Sequence, residues 1–505
     1  MKAIGWLASA AGALASAASA AGSSDWGLRA QKALHARSAK EFGIARPLEA
    51  GAIEALSVSR RPGQTADDVV TVAKGLRAHI LTRRAAASAD MFAFWPDDGS
   101  PTHLIFCIEG SRGSIGAPGA TLPGSGNVGK LNPSVQRIEI ATGAVETILR
   151  GMSSCDGIRR TPWQTVLATE ENGSGQAYEI LDPLASTNLT VTDRAAAAGA
   201  PGAVVDPDGG DAALQVVKRD ALPTIAWEGL DVTPEGVVYA GDEHRPGTGT
   251  ADSDGGAVFK FVPSVPRAGG PIASLSESPL AAGGVWAFRA SCRASPVVQY
   301  GQGCEVGAGG WVEVAAASAR ADADALGATG YYRPEDGHLN PTYGGLGVEF
   351  CWTNTGDVGA QHFGEVVCMT DPEPLSSASV PVARRFVEGD PTFNSFDNLD
   401  VQPRTGILYV LEDHTHGEVY ACLPDGADRD LKTDGCVAVL GVKDPSAEPT
   451  GFRFAGDGTT AVLSIQHSND AACQAPGSDC ANVDDYATDD IVMITGFKIR
   501  PAMIR

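Results

Sequence analysis

Asp400-Val-Gln-Pro-Arg-Thr-Gly406-Ile-Leu-Tyr409 contains a unit that recurs along this chain. An acidic turn leads to a glycine, and a short apolar strand follows. The same order appears at Asp231-Val-Thr-Pro-Glu-Gly236-Val-Val-Tyr239 and at Phe454-Ala-Gly-Asp-Gly458-Thr-Thr-Ala-Val-Leu463. Each reads as a hairpin joining the first two strands of a blade. Outward from these units, short runs rich in Val, Ile, Tyr, Phe and Trp alternate with Gly, Pro, Asp and Asn. Examples are His103–Ile108, Val135–Ile140, Ala177–Leu181, Val348–Trp352, Glu365–Met369 and Ile491–Gly496. No helical block interrupts them to build βαβ units. The pattern predicts an all-β protein, a single β-propeller of about six blades occupying residues 76–505, with small insertions. Residues 264–330, rich in Ala, Gly and Ser, read as one such insertion.

Ahead of the propeller, residues 1–20 read as a signal peptide, ending in the small-x-small pattern Ala18-Ser19-Ala20. Residues 21–75 read as a leader and linker, with weak helical patterning in Trp26–Phe42. The signal and the cysteines point to a secreted, extracellular or periplasmic protein. No later run approaches the roughly 20 apolar residues of a membrane span. The 61 acidic and 38 basic residues leave a net charge of -23, with no basic face for nucleic acid. A monomer acting on a small molecule is expected. Of the ten cysteines, eight form close pairs: 292/304, 351/368, 422/436 and 473/480. Cys107 and Cys155 are left over. They either bond to each other, or Cys155 stays free as a ligand.

The densest chemistry lies in Cys155-Asp-Gly-Ile-Arg-Arg-Thr-Pro-Trp-Gln-Thr-Val-Leu-Ala-Thr-Glu-Glu-Asn172. A thiol and two adjacent carboxylates flank a strand that begins near Trp163. Carboxylates stand at strand ends in further segments: Ile108-Glu-Gly110, Trp227-Glu228-Gly, Asp242-Glu243, Arg333-Pro-Glu335-Asp336, Phe396-Asp397-Asn398 and Glu448-Pro-Thr-Gly451. Ser464-Ile-Gln466-His467 places a histidine there. Taken singly, Asp242 and Asp397 read as solvated turn residues. Glu228 does not, because a bare carboxylate beside Trp227 in an apolar run is costly. In a propeller such loops converge on one end of the channel. Convergent carboxylates cannot all ionise without a cation, and oxygen ligands suit calcium or a harder trivalent ion.

These segments, in this order over roughly residues 78–498, resemble the PhoX-type alkaline phosphatases, calcium-dependent β-propeller enzymes that carry iron and calcium in the channel. The resemblance implies that Cys155, Glu228 and Glu335 ligate metals, the thiolate serving iron. It implies that Glu171, Asp397 and Glu448 complete the iron and calcium shells. Arg333 would hold a phosphate oxygen, with Glu335 beside it in the catalytic centre. Asp90 and Glu109 match two weaker acidic positions. The chain departs from the family in several places. No twin-arginine signal precedes the apolar run, Trp227 stands where many members have His, and Gln466-His467-Ser-Asn lacks the usual Pro-Gly. The Cys155-Asp-Gly-Ile-Arg-Arg stretch replaces a Gly-rich turn.

The expected function is hydrolysis of phosphate monoesters, or of diesters, at a metal cluster. Two alternatives make different predictions. A calcium-dependent propeller esterase or lactonase would hold calcium without iron. A non-catalytic, calcium-stabilised binding propeller would have Cys155 in a disulfide.

Overall fold

In the computed structural model, 28 strands among the described residues form five hydrogen-bonded sheets. The structure describes residues 26–49, 56–122, 128–247, 255–290, 305–423, 435–468 and, apart from 474 and 476, 472–499. The signal-peptide reading at 1–20 and the Cys292/Cys304 pair lie outside these residues.

The sheets divide into six blades. Blade 1 runs outward from Ala89–Trp95 through His103–Ile108 and Pro133–Glu139 to Ala144–Arg150, with two short strands added beyond. Blade 2 is Cys155–Arg160, Val166–Glu170, Ala177–Ile180 and Val216–Lys218. Blade 3 starts at Trp227–Val232, blade 4 at Pro334–Leu339, blade 5 at Phe396–Val401 and blade 6 at Glu448–Phe454. Each innermost strand packs against the next, and the sixth packs against the first. The ring is closed by the N-terminal strand Arg77–Ala86, which pairs with Thr488–Thr495 as the outermost strand of blade 6.

The buried apolar side chains fall into six clusters, one in each gap between neighbouring blades. Between blades 1 and 2, for example, Met91 and Ile105 meet Ile158 and Val166; between blades 3 and 4, Tyr239 and Phe288 meet Phe350 and Trp352. Every blade therefore buries both faces. This explains why strands such as Ala89–Trp95 and Cys436–Val442 are buried along their whole length instead of alternating.

Two parts of the chain are more integrated than their composition suggests. Helix Trp26–Glu41 docks on the propeller: Leu34 and Phe42 are buried between blades 5 and 6, and Gln31 Nε2 donates to the carbonyl of Cys436 at 2.9 Å. Val70–Val72 adds a strand to blade 5. Of the stretch read as leader and linker, Leu34, Phe42, Ile44, Val69 and Ala73 are thus buried against the propeller. In the stretch read as an insertion, Gly283–Ala290 is the fourth strand of blade 3, and Gly307–Val314 bridges blades 3 and 4. Three of the expected cysteine pairs form: Cys351–Cys368, Cys422–Cys436 and Cys473–Cys480.

Candidate metal centre

Each innermost strand slips register once against its neighbour, close to its first residue. Two inner residues then face one partner residue. These bulged pairs are Asp90-Met91, Asp156-Gly157, Glu228-Gly229, Glu335-Asp336, Asp397-Asn398 and Gly451-Phe452. A bulge re-aims the side chain it carries. In five blades that side chain is a carboxylate. The inner strands come very close here. A Cβ on Gly229 would lie 1.8 Å from the Gly337 nitrogen, and one on Gly157 would lie 2.0 Å from the Glu228 oxygen.

A second tier of acids comes from the ends of the neighbouring strands. Glu109, Glu171, Glu243 and Asp413 each follow the last residue of a second strand. Their backbone N–H groups donate to the carbonyls of Ser88, Ser154, Ala226 and Ser395 at 2.8, 2.7, 2.9 and 2.6 Å. In blade 4, Thr355 fills this place, and its N–H donates to Arg333 at 3.2 Å. The acid one residue earlier has a different task. Glu170, Asp242 and Glu412 turn away and accept the backbone N–H groups of Ser153, Ala226 and Asn394 at 2.8, 2.8 and 3.0 Å. Arg194 and Arg320 pair with the first two of these. In each adjacent pair of acids, one is structural and the other faces the channel.

Three overlapping groups of oxygens result. Asp90, Glu109 and Asp156 each place a carboxylate oxygen within 4.8 Å of the others. Asp156, Glu171 and Glu228 do the same, and so do Glu228, Glu335 and Asp397. Burial is the largest influence on the acids that shift, and their mutual repulsion adds to it. Together these push Asp90, Asp156, Glu171, Glu228 and Asp397 well above the usual carboxylate range. Glu243 is raised to about 7 and Glu448 to about 11 for the same reasons, the latter with Asp413 and Asp397 nearby. Arg333 reaches into this set. Its Nε lies 2.5 Å from Glu243, and its Nη2 lies 3.0 Å from Glu335. Burial opposes its charge, but Glu335 and Glu243 hold it cationic.

Blade 6 departs from the pattern. Gly451 occupies the bulge and has no side chain to offer. The blade supplies neutral groups instead. The Thr450 hydroxyl lies 2.7 Å from Asp90, and Gln466 Nε2 donates to Asp90 and Glu109, both at 3.0 Å. Glu448 stands further out, 3.3 Å from His467.

Three residues deeper on the same strands the charges balance. Arg159 donates to Asp336 at 3.2 Å, and its Nη2 lies 2.7 Å from His338 Nε2. Arg453 lies 2.5 Å from the other nitrogen of His338 and donates to Asp400 at 3.3 Å. Asp231 accepts the N–H of Leu339 at 2.9 Å. Burial opposes ionisation of Asp336, but His338 and Arg159 overcome it and hold the group below the usual range.

The structure therefore brings Glu171, Glu228, Glu335 and Asp397 together, with Arg333 in contact and Glu448 at the rim. It does not bring Cys155. That sulfur is bonded to Cys107 and fully buried in the apolar cluster between blades 1 and 2, so the expected thiolate ligand is corrected. The channel position belongs to the next residue, Asp156, which the sequence reading passed over. Its signal was present: in an extended strand adjacent side chains face opposite ways, so a core-facing Cys155 implies a channel-facing Asp156. Glu243 and Asp413 were also not singled out as ligands.

Among the described residues no helix is long and apolar enough to cross a membrane. A search of curated proteins returns no match. The chain is similar in structure to Pseudomonas fluorescens PhoX in complex with vanadate, a transition state analogue. The TM-score is 0.56 at 16% identity, covering 89% of this chain and 99% of that one. A PQQ-bound aldose sugar dehydrogenase from Streptomyces coelicolor matches at a TM-score of 0.33 and 14% identity, over 84% and 99% of the two chains, too weakly to carry an argument. The family described as alkaline phosphatase PhoX matches residues 146–469, more than half of the sequence. The chain belongs to the alkaline phosphatase PhoX family, and it is a phosphoric ester hydrolase.

Proposed function

We propose that this protein is a secreted, metal-dependent phosphatase that hydrolyses phosphate monoesters at the acidic mouth of the propeller channel. The observation that carries this reading is the charge imbalance there. Seven carboxylates meet in three overlapping groups, and among the described residues Arg333 beside Glu335 and His467 near Glu109 are too few to balance them. A phosphate dianion would be repelled from such a mouth unless bound cations outweighed the acids. The donor set fits hard cations, since every donor is oxygen and Asp156 Oδ1 is buried with no hydrogen-bond partner. Calcium and ferric iron fit through carboxylates, and neither fits through sulfur, because Cys155 is in a disulfide. That bond is what the binding-module alternative expected. It no longer discriminates, since Asp156 occupies the position where the thiolate was sought.

Asp90, Glu109, Asp156, Glu171, Glu228, Glu335 and Asp397 would hold the ions. When bound, hard cations polarise phosphoryl oxygens and lower the pKa of coordinated water. Arg333, anchored by Glu243 and Glu335, presents a planar guanidinium to a phosphoryl oxygen and offsets charge developing in the transition state. Glu335 fixes that guanidinium and faces the ions at the same time. Gln466 and Thr450 hold Asp90 in one orientation. The four disulfides among the described residues are consistent with export to an oxidising compartment.

The test is turnover of p-nitrophenyl phosphate by protein loaded with calcium and ferric iron, with p-nitrophenyl acetate as the comparison. Phosphate release that stops on chelation is the expected result. Hydrolysis of the acetate alone would establish the esterase alternative.

A further inference from the structure

The ring closes at the seam between blades 6 and 1, and a hairpin crosses that seam beside the mouth. Val483 and Tyr486 each donate their backbone N–H to the other's carbonyl at 2.9 Å, with Asp484 and Asp485 between them. Both turn residues are left-handed, with φ of 55° and 64°. A two-residue turn of this kind favours Asn or Asp followed by glycine, and a side chain at the glycine position is strained. Ion pairs across the seam oppose that strain. Lys130, which leads into the third strand of blade 1, lies 2.6 Å from Asp484 and 3.0 Å from Asp485. Arg150, buried at the end of the fourth strand of blade 1, also pairs with Asp484. Blade 1 thus grips the tip of a hairpin that belongs to blade 6.

The residue after that tip is Tyr486. Its ring packs against the apolar cluster containing Ile108 and Ile491, and its hydroxyl reaches Gly110. A Cβ on Gly110 would lie 2.4 Å from that hydroxyl, so glycine leaves room for it. Gly110 directly follows the mouth acid Glu109. The Thr450 hydroxyl and the Gln466 amide are committed to Asp90 and Glu109. The half-buried Tyr486 hydroxyl, by contrast, has no hydrogen-bond partner among the described residues. It is an uncommitted donor and acceptor at the edge of the mouth. In a ring of six blades it stands across the channel from Arg333, which enters blade 4.

We propose that Tyr486 is a specificity-determining residue, its hydroxyl bonding to a hydroxyl on the alcohol portion of the phosphate ester, so that polyol esters are favoured over alkyl esters of equal length. Arg333 takes the phosphoryl group from the blade 4 side, and the alcohol portion extends toward blades 6 and 1. A phenol donates and accepts, which matches a substrate hydroxyl and offers nothing to a methyl or methylene. The ion pairs at the hairpin tip hold the tyrosine in place before substrate arrives, which lessens the entropy lost on binding.

This rests on the phosphatase reading. The test compares kcat/KM for glycerol phosphate and propyl phosphate on metal-loaded protein. Both esters carry the same phosphoryl group, so a change in metal content moves both, and their ratio reports on the alcohol portion. The wild type is expected to prefer glycerol phosphate by about 10-fold, and Tyr486→Phe by about 2-fold or less. Asp484→Asn/Asp485→Gly keeps a favoured turn and removes the ion pairs. Its melting temperature should not fall, while the preference should drop by about 3-fold. A wild type without preference, or a preference unchanged in Tyr486→Phe, would overturn the proposal. A preference unchanged in the turn variant would overturn the part given to the ion pairs. Phosphate released from neither ester would overturn the proposed function and this inference with it.

Discussion

The mouth of the channel and the layer beneath it are built by the same strands, yet they solve the charge problem in opposite ways. At the mouth stand Asp156, Glu228, Glu335 and Asp397. Three residues on come Arg159, Asp231, His338 and Asp400, with Arg453 from blade 6. The deeper layer balances itself, each acid meeting an arginine, a histidine or a backbone N–H. The mouth has no such balance, and Asp156, Glu228 and Asp397 are driven toward protonation. The propeller can therefore bury charge at its axis without outside help. The acids of the mouth are an arrangement that calls for cations from solution, whereas the deeper layer is part of the fold.

This contrast can be broken or sharpened by experiment. The largest effect is expected at Glu228, whose carboxylate belongs to two of the three oxygen groups. Glu228→Gln should lower phosphatase kcat by about 100-fold or more, with loss of bound metal and little change in the melting temperature of the chelated protein. The deeper layer should behave in reverse. Arg159→Met takes from buried Asp336 one of its two cationic partners, His338 being the other, and should cost about 3 kcal/mol in denaturant unfolding, while residual folded protein keeps its metal. If Arg159→Met instead loses metal at unchanged stability, the two layers are not independent.

The pH response of the chelated protein is the next test. A carboxyl whose folded pKa is raised stabilises the fold while protonated. That contribution is complete below about pH 4 and disappears as pH climbs through the raised values. With Glu243 at about 7 and Glu448 at about 11, the window lies above neutral as well as below it. The melting temperature without metal should fall by roughly 5 °C between about pH 5 and pH 9. Calcium should remove most of that slope by binding the ionised form. A chelated protein that gained stability toward pH 9 would show that the mouth acids are ionised without metal. The smallest effect is expected at Arg333→Lys. It keeps the charge but loses the planar fork, and steady-state kinetics should show a rise in KM of about 10-fold.

Much of the fold was legible because it follows from local rules. Runs such as His103–Ile108 and Glu365–Met369 are too short and too β-branched for helices, and their glycine-rich turns mark hairpins. The closing strand Arg77–Ala86 and the bridge Gly307–Val314 were not legible. Each pairs with residues distant along the chain, and composition carries no trace of a partner. In the site, Glu171, Glu228, Glu335 and Asp397 stood out as acids at strand ends, and they do meet. Asp156 did not stand out, because the cysteine beside it looked like the better ligand.

The residues themselves determined an all-β ring with acids at its strand ends. Spacing of short apolar runs, turn chemistry and the cost of burying a bare carboxylate are all local properties. Which member of each adjacent pair enters the channel, Cys155 or Asp156, Glu170 or Glu171, was decided only by the assembled sheets. Side chains on a strand alternate with a period of two, so a one-residue slip in register exchanges the core face for the channel face. That slip is set where six strands crowd the axis, through contacts with neighbouring blades that lie tens of residues away in sequence.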